Sequence, residues 1–391
     1  MYKNLIRNLP KEKLLILVND LNHSEIERQN NSKEIVSAIK KEKLKYKFYS
    51  KAYKKEKYKV LLSTGESGAR KIDIISIFRF IYSRSIGVIL EKTYLSVLLY
   101  KVFGRRFTAG ELSSKLSRKY YPEKTLGEHV VKYPWTMDLN LKAYPGMEWK
   151  KNFDVFFTHG IYDSKLIKKK FKNSKVIVIG YPRYNNLAKK TSLVKKYKKI
   201  FKLKKNKKKI FWIPTHIDYS KEIGTNITNW INKFKILQKY YDIIVRPHTK
   251  TLNHYPELVS ELRKKGFLVD NKSNRKTGEI FALADLVFAD YGGSVFSSIY
   301  LNKPTILFNL PQESKYLLEK EKIQTFDLLV RKKVKSLDPN ESSKNILDKC
   351  RKISLKNEAN QINKLKNIYF GKKNIVTPLG EVTKFLLKKI N

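Results

Sequence analysis

The segment Ala284-Asp285-Leu286-Val287-Phe288-Ala289-Asp290-Tyr291-Gly292-Gly293-Ser294-Val295-Phe296-Ser297-Ser298, followed by Lys303-Pro304-Thr305-Ile306-Leu307-Phe308, leaves few folds open. An apolar run from Leu286 to Ala289 that stops at an acid reads as a strand buried on both faces, and a second such run begins at Thr305. Between them a Gly-Gly turn and a serine-containing stretch leave room for one short helix. Strand, glycine turn, helix and strand in that order belong to a parallel α/β sheet. The turn places backbone N–H groups and hydroxyls at the carboxyl end of a strand, a setting that suits a phosphate or diphosphate. Many such turns serve only the fold, so a ligand-binding and a structural reading both stand on this segment alone.

The same alternation runs through the rest of the chain. Leu14–Asn19 is a short strand run, followed by a polar helical pattern around Ser24–Lys41. Val60–Gly65 is another strand ending in a turn, with apolar helical segments reaching to about residue 103. Asp154–Gly160 and Val176–Gly180 each read as strand then turn, with a basic helix Ser164–Phe171 between them. The pattern restarts at Ile210–Thr215 and Tyr241–Arg246, and ends in lysine-rich amphipathic helix that includes Gly380–Ile390. At 391 residues the chain exceeds one comfortable core. We expect an N-terminal Rossmann-like domain over 1–186, a basic linker over 187–209, a C-terminal nucleotide-binding domain over 210–370 and a terminal helix over 371–391. The expected architecture is two Rossmann-like domains with parallel sheets facing a central cleft.

Charge narrows the partners rather than the fold. The net charge is +48, carried mostly by lysine, and three kinds of partner fit it: nucleic acid, an anionic membrane surface or a phosphate-rich substrate. Lys, Asn and Ile are abundant throughout, so general compositional bias competes with all three. No zinc-finger spacing or RNP-like aromatic stretch is present, which argues against specific nucleic-acid recognition. Blocks such as Lys195-Lys196-Tyr197-Lys198-Lys199 and Lys204–Lys209 suit acidic headgroups, at about 1 kcal/mol per well-placed charge. The most apolar window, Ile72 to Phe103, is broken by Asp73, Arg79, Arg84, Glu91, Lys92 and Lys101 and fails as a membrane span. Met1–Pro10 is too short and too charged for a signal peptide, and the single Cys350 excludes an intramolecular disulfide framework. The expected location is the cytoplasm, soluble or peripheral on a membrane.

Chemistry-bearing residues gather where strands end. They are Gly180-Tyr181-Pro182-Arg183, Pro214-Thr215-His216, Arg246-Pro247-His248-Thr249-Lys250 and the turn carrying Asp290, Gly292, Gly293, Ser294, Ser297 and Ser298. Pro247 holds Arg246 extended. Arg246, Lys250 and an imidazole beside a glycine turn would hold a diphosphate through charge-assisted hydrogen bonds, and Thr215 and Arg183 flank it. On the other side of the cleft, an attacking hydroxyl benefits from a base with pKa near 7, which points to His129 or His159. For each of these two, a structural role competes equally with a catalytic one; His23, His216 and His254 rank lower. No histidine spacing suits a metal, and no cofactor is called for.

Taken together these clusters resemble the CDP-glycerol glycerophosphotransferase family of teichoic-acid polymerases and primases. The resemblance rests on Trp149-Lys150-Lys151 with Asp154, Gly180-Tyr181-Pro182-Arg183, Pro214-Thr215, Arg246-Pro247-His248, Ala284-Asp285, Asp290-Tyr291 and Lys303-Pro304, in family order. It implies a GT-B fold, the nucleotide held mainly by the C-terminal domain, and attachment to the inner face of the cell membrane. The implied reaction moves glycerol phosphate, or a related polyol phosphate, from a CDP-activated donor to a lipid-linked or polysaccharide acceptor and releases CMP. His248 matches the family's second histidine, with Arg246 beside it. The first histidine belongs to a His-Gly-Thr motif upstream of Trp-Lys-Lys, which favours His129 narrowly over His159. Two departures stand out: Gly292-Gly293 replaces a Ser-Ser pair, and a later aspartate falls on Ser297. Gly-Gly at this turn is what sugar-nucleotide GT-B enzymes carry, so a glycosyltransferase of capsule or lipopolysaccharide assembly is the alternative expectation.

Overall fold

A computed structural model describes the larger part of residues 8–18, 35–48, 56–63, 126–134, 152–217, 227–309 and 326–390, with isolated positions elsewhere. The apolar helical segments expected up to residue 103, most of the helical pattern expected around 24–41, His23, Trp149-Lys150-Lys151 and Tyr291 lie outside the described residues. The chain divides into unit 1, Met1–Arg183 with Lys372–Asn391, and unit 2, Tyr184–Gly371.

In unit 1, β1 (Leu15–Val18) pairs in parallel with β2 (Lys45–Phe48). A separate parallel sheet takes β3 (Tyr58–Ser63), β4 (Gly127–Lys132), β5 (Val155–Thr158) and β6 (Lys175–Val178) in sequence order. All four residues of β5 are buried, as expected of an inner parallel strand, whereas the edge strand β6 starts on exposed Lys175. Helix α1 (Ile161–Lys170) joins β5 to β6. The C-terminal helix Leu379–Ile390 buries Val382 and Leu386 in the same core as Tyr133, Phe157 and Ile179. The Thr377 N–H donates to the Val178 carbonyl at 2.8 Å, which ties that helix to β6 and so to unit 1.

Unit 2 is a six-stranded, wholly parallel sheet in the order β12-β11-β10-β7-β8-β9. These strands are β7 (Lys208–Ile213), β8 (Tyr241–Val245), β9 (Leu268–Val269), β10 (Leu286–Ala289), β11 (Thr305–Phe308) and β12 (Ser336–Leu337). Every residue of β8, β10 and β11 is buried, because helices cover both faces of such a sheet. Helix α2 (Lys190–Phe201) carries the basic segment that reads as a linker; it buries Leu193, Tyr197 and Phe201 and exposes its lysines. Helix α3 (Ile227–Phe234) presents Ile227, Trp230, Ile231 and Phe234 on one buried face, the i, i+3, i+4, i+7 spacing of an amphipathic helix. Trp230 stacks on Phe308 at 4.4 Å and Trp212 meets Phe234 edge-on at 4.9 Å, so aromatic packing knits α3 to the sheet.

The strand order determines where a ligand can sit in unit 2. From β7 the sheet grows towards β8 and β9 on one side and towards β10, β11 and β12 on the other. The loops after β7 and β10 therefore diverge, and the crevice at the carboxyl ends of those strands is the topological switch point. The expected α/β fold of parallel sheets is what both units show. No helix among the described residues is long and apolar enough to cross a membrane.

Candidate active site

At the switch point the chain is tied down by short polar contacts. Asp290, fully buried just after β10, accepts the Thr215 N–H on its carboxylate at 2.9 and 3.0 Å. Two residues on, the Ile217 N–H donates to Thr251 Oγ1 at 3.0 Å, and Thr251 lies buried in α4 (Thr249–His254). Half-buried His216 is thus fixed between two anchored amides. Its ring lies 5.7 Å from that of His248 and 5.9 Å from that of His254, edge-on to both.

His248 caps α4. Its Nδ1 accepts the Lys250 N–H at 3.2 Å, so the neutral ring must carry its proton on Nε2. Burial of its inner side, followed by the charges of His216 and Lys250, lowers its pKa from the usual histidine value although the residue is exposed overall. His248 is thereby a neutral imidazole that offers a hydrogen-bond donor rather than a lone pair. Arg246 is less mobile than its sequence suggests: its Nη1 donates to Asp270 at 2.8 Å and to the Arg275 carbonyl at 3.0 Å. Asp270 is buried and also pairs with the Arg275 guanidinium. Lys250 is exposed.

Gly292 has φ 83° and ψ −149°, a backbone region open essentially to glycine alone. That conformation starts helix α5 (Gly293–Tyr300), with Gly293 and Ser294 half-buried at its first turn. The other two serines point inward. Ser297 Oγ donates to the Gly293 carbonyl at 2.8 Å, and Ser298 Oγ donates to the Val295 carbonyl at 2.7 Å and accepts from Thr305 Oγ1 at 2.9 Å. Both are buried, so the structure places Ser298 in the packing between α5 and β11.

Two further motif positions lie at the opposite, amino end of the sheet. Asp285 accepts the Lys209 N–H at 2.8 Å and pairs with Lys190. Lys303 donates from Nζ to the Ala282 and Ala284 carbonyls at 3.0 and 2.9 Å; burial, with the Lys190 charge, lowers its pKa to about 8. These residues hold the β7–β10–β11 core in register.

In unit 1 the two candidate histidines are not equivalent. His129 lies inside β4 opposite Val60, half-buried and short of the carboxyl edge. His159 follows β5 at that edge. Its Nδ1 lies 2.6 Å from the Gly180 carbonyl, which can only accept, so the proton is on Nδ1 and the neutral ring keeps its lone pair on Nε2. The ring stacks on Tyr181 at 3.7 Å, and exposed Arg183 covers Tyr181 at 5.1 Å. Burial pushes the neighbouring Tyr133 hydroxyl up to about 12, against the opposing charge of Arg183. Asp163 accepts the N–H groups of His159, Gly160 and Ser164, which ties the end of β5 to the first turn of α1.

Sequence reasoning ranked His216 and His254 low and did not weigh Thr251, Asp270 or Arg275. His216 carried a usable signal, since it ends the same strand-terminal triplet as Thr215. The others depend on side chains reaching across the sheet. No group of acids, histidines or cysteines among the described residues could hold a metal.

The family model described as CDP-glycerol:poly(glycerophosphate) glycerophosphotransferase matches residues 1–328. No curated protein sequence matches the chain. Among solved structures, the wall teichoic acid polymerase TagF is similar at 14% identity over 98% of this chain and 89% of that one, with a TM-score of 0.49. A TagF H444N variant soaked with CDPG gives 15% identity over 71% and 76%, also at 0.49. UDP-GlcNAc 2-epimerase from Neisseria meningitidis gives 12% identity over 100% and 95%, at 0.45.

Proposed function

This chain belongs to the CDP-glycerol:poly(glycerophosphate) glycerophosphotransferase family, and from that premise we propose that unit 2 binds a CDP-activated polyol-phosphate donor at its switch point. The acceptor hydroxyl oxygen attacks the β-phosphorus; the new P–O bond forms as the bond to CMP breaks, and CMP departs with the bonding pair. The hydroxyl proton is given up to a base as the new bond forms. The acceptor is a lipid-linked or polysaccharide hydroxyl. The exposed lysines of α2 suit attachment to an anionic membrane surface.

One observation carries the donor side: His248 accepts the Lys250 N–H on Nδ1 and so presents Nε2–H as a donor at the strand end. A neutral donor fixed by the backbone stabilises charge developing on the departing CMP oxygen without reorganising, which is where electrostatic catalysis gains most. Arg246, held by Asp270, adds fixed positive charge beside it. Phosphoryl transfer of this kind is mostly positioning and charge stabilisation. Removing one such donor costs about 10²–10³ in kcat.

The test is CMP release from CDP-glycerol with a glycerol-phosphate-primed acceptor. His248→Ala should lower kcat by at least that factor while CDP-glycerol still binds. Unimpaired turnover in the variant would remove His248 from the mechanism. A second reading, transfer from a nucleotide sugar, rests on the Gly292-Gly293 turn; UDP release from a UDP-sugar with no CMP release from CDP-glycerol would establish it.

A further inference from the structure

At the carboxyl end of β9 one carboxylate serves two guanidinium groups. Asp270 is buried there; its Oδ2 accepts from Arg246 Nη1 at 2.8 Å, and its Oδ1 accepts from Arg275 Nη1. The same Arg246 nitrogen donates to the Arg275 carbonyl at 3.0 Å. Arg275 is itself seated on α2, with its guanidinium carbon 4.9 Å from the centre of the Phe201 ring. A carboxylate and a guanidinium left to themselves commonly join by two parallel hydrogen bonds. Asp270 instead divides its oxygens between two arginines.

We propose that Arg275 is a positioning residue for the donor: by occupying one oxygen of Asp270 it restricts that acid to a single nitrogen of Arg246, and so keeps the other edge of the Arg246 guanidinium for a phosphate. This rests on the reading that the switch point takes a nucleotide diphosphate. Both N–H bonds of Arg246 Nη1 are engaged, one by Asp270 and one by the Arg275 carbonyl. Among the described residues nothing engages its Nε or Nη2, and that edge is a fork that matches a phosphate through two parallel bonds. Strand order adds direction. β9 lies beyond β8 on the side away from β7 and β10, so Asp270 and Arg275, which both follow β9, hold Arg246 from outside the crevice. The Arg246 main chain is fixed as well, its N–H donating to the Trp212 carbonyl at 2.9 Å. A phosphate therefore meets a preorganised donor and pays little for ordering it.

Without Arg275 the second oxygen of Asp270 is released. The carboxylate can then close on two nitrogens of Arg246 and withdraw the fork from the ligand. Arg275 thus acts through Arg246, and the competitor it restrains is Asp270. Replacing Asp270 by asparagine removes that competitor, because an amide offers one acceptor oxygen and cannot fork.

The experiment is calorimetric titration of CDP-glycerol into the full chain, with kcat for CMP release measured beside it, for wild type, Arg275→Met, Arg275→Lys and the double variant Arg275→Met with Asp270→Asn. Methionine keeps an apolar contact with Phe201, and Arg275→Leu takes its place if that variant does not fold. Arg275→Met should weaken CDP-glycerol binding by about ten- to a hundredfold, the worth of hydrogen bonds between charged groups, with a smaller change in kcat. Arg275→Lys, which can still donate to Oδ1, should bind almost as wild type does. The double variant should recover most of the lost affinity while being less stable than either parent; a residue that serves only the fold gives the opposite order, with the double variant weakest. Titrations at about 0.05 and 0.5 M salt separate position from plain charge, since a charge acting without contact is screened. A loss under about threefold in Arg275→Met, smaller than a charged hydrogen bond provides, overturns the positioning role and leaves the donor site standing. A double variant no tighter than the single one, or a loss that vanishes at high salt, does the same. Failure of wild type to bind CDP-glycerol overturns the donor-site reading and the positioning role together.

Discussion

Replacing Gly292 by alanine separates backbone conformation from packing at the turn after β10. An alanine Cβ built at this position meets no atom within 4 Å, so the substitution introduces no clash. Its whole cost is the φ of 83° paired with ψ of −149°, a region that residues with a Cβ occupy at roughly 1–3 kcal/mol. For a unit of this size each kcal/mol lowers the midpoint by about 2–4 °C. We expect Gly292→Ala to lose about 1–3 kcal/mol in urea denaturation without a change in slope, because no surface is newly exposed. If the turn relaxes to escape the strain, the first N–H groups of α5 move and CDP-glycerol binding weakens with the stability loss. Gly127→Ala is the contrasting control: there a Cβ would come within 2.7 Å of Leu61 Cβ, and the loss comes from steric contact across β3 and β4. A Gly292→Ala protein within about 0.5 kcal/mol of wild type, the range of an ordinary surface substitution, would refute the assignment of strain to this turn.

Three further outcomes are expected. His159→Gln should lower stability, because the buried ring contacts the Gly180 carbonyl and stacks on Tyr181, while half-buried His129→Gln costs less; equal losses in urea denaturation reject that difference. Lys303, with its pKa lowered to about 8 from 10.5, binds fewer protons folded than unfolded between those values, so it makes stability rise with pH across that window. The difference in unfolding free energy between wild type and Lys303→Met should grow from about pH 8 to 10.5, and a flat difference rejects the shift. Asp270→Asn leaves two guanidinium groups beside a buried neutral amide, and breaking a buried pair costs about 3–5 kcal/mol; the partly exposed arginines put this case at the low end. Denaturation of the variant measures that loss directly, and a loss below about 1 kcal/mol contradicts the pairing.

The parallel α/β fold was legible wherever a strand is apolar on both faces. Leu286–Ala289, Thr305–Phe308 and Tyr241–Val245 are continuous buried runs, and such runs need no partner to be read. β4 was missed for a physical reason. Gly127-Glu128-His129-Val130-Val131-Lys132 mixes polar and apolar residues, and only its register with β3 and β5 makes it a strand. The basic stretch at 187–209 misled in another way: lysines on one face of α2 hide the Leu193, Tyr197 and Phe201 stripe that packs it on unit 2. Of the candidate residues, strand-end reasoning expected Thr215, Arg246, His248, Asp290 and Gly292 at the carboxyl edge of the sheet, and that is their position in unit 2. It could not distinguish a ligand-facing hydroxyl from one turned inward, as at Ser298, because that depends on Thr305 reaching back across the helix.

Net charge would suggest that a diphosphate entering unit 2 meets a surplus of fixed cations. The local accounting differs. Arg246 is shared with Asp270, Lys303 is spent on two backbone carbonyls at the far end of the sheet, and Lys209 donates to the Lys204 carbonyl at 3.2 Å. Asp290, the acid nearest in sequence to the glycine turn, is committed to an amide. The carboxyl edge also gathers three imidazoles, with the His216 ring 5.7 Å from His248 and 5.9 Å from His254. The +48 charge of the chain is therefore a poor guide to the charge at this edge, where Arg246 is matched by buried Asp270 and His248 stands as a neutral donor.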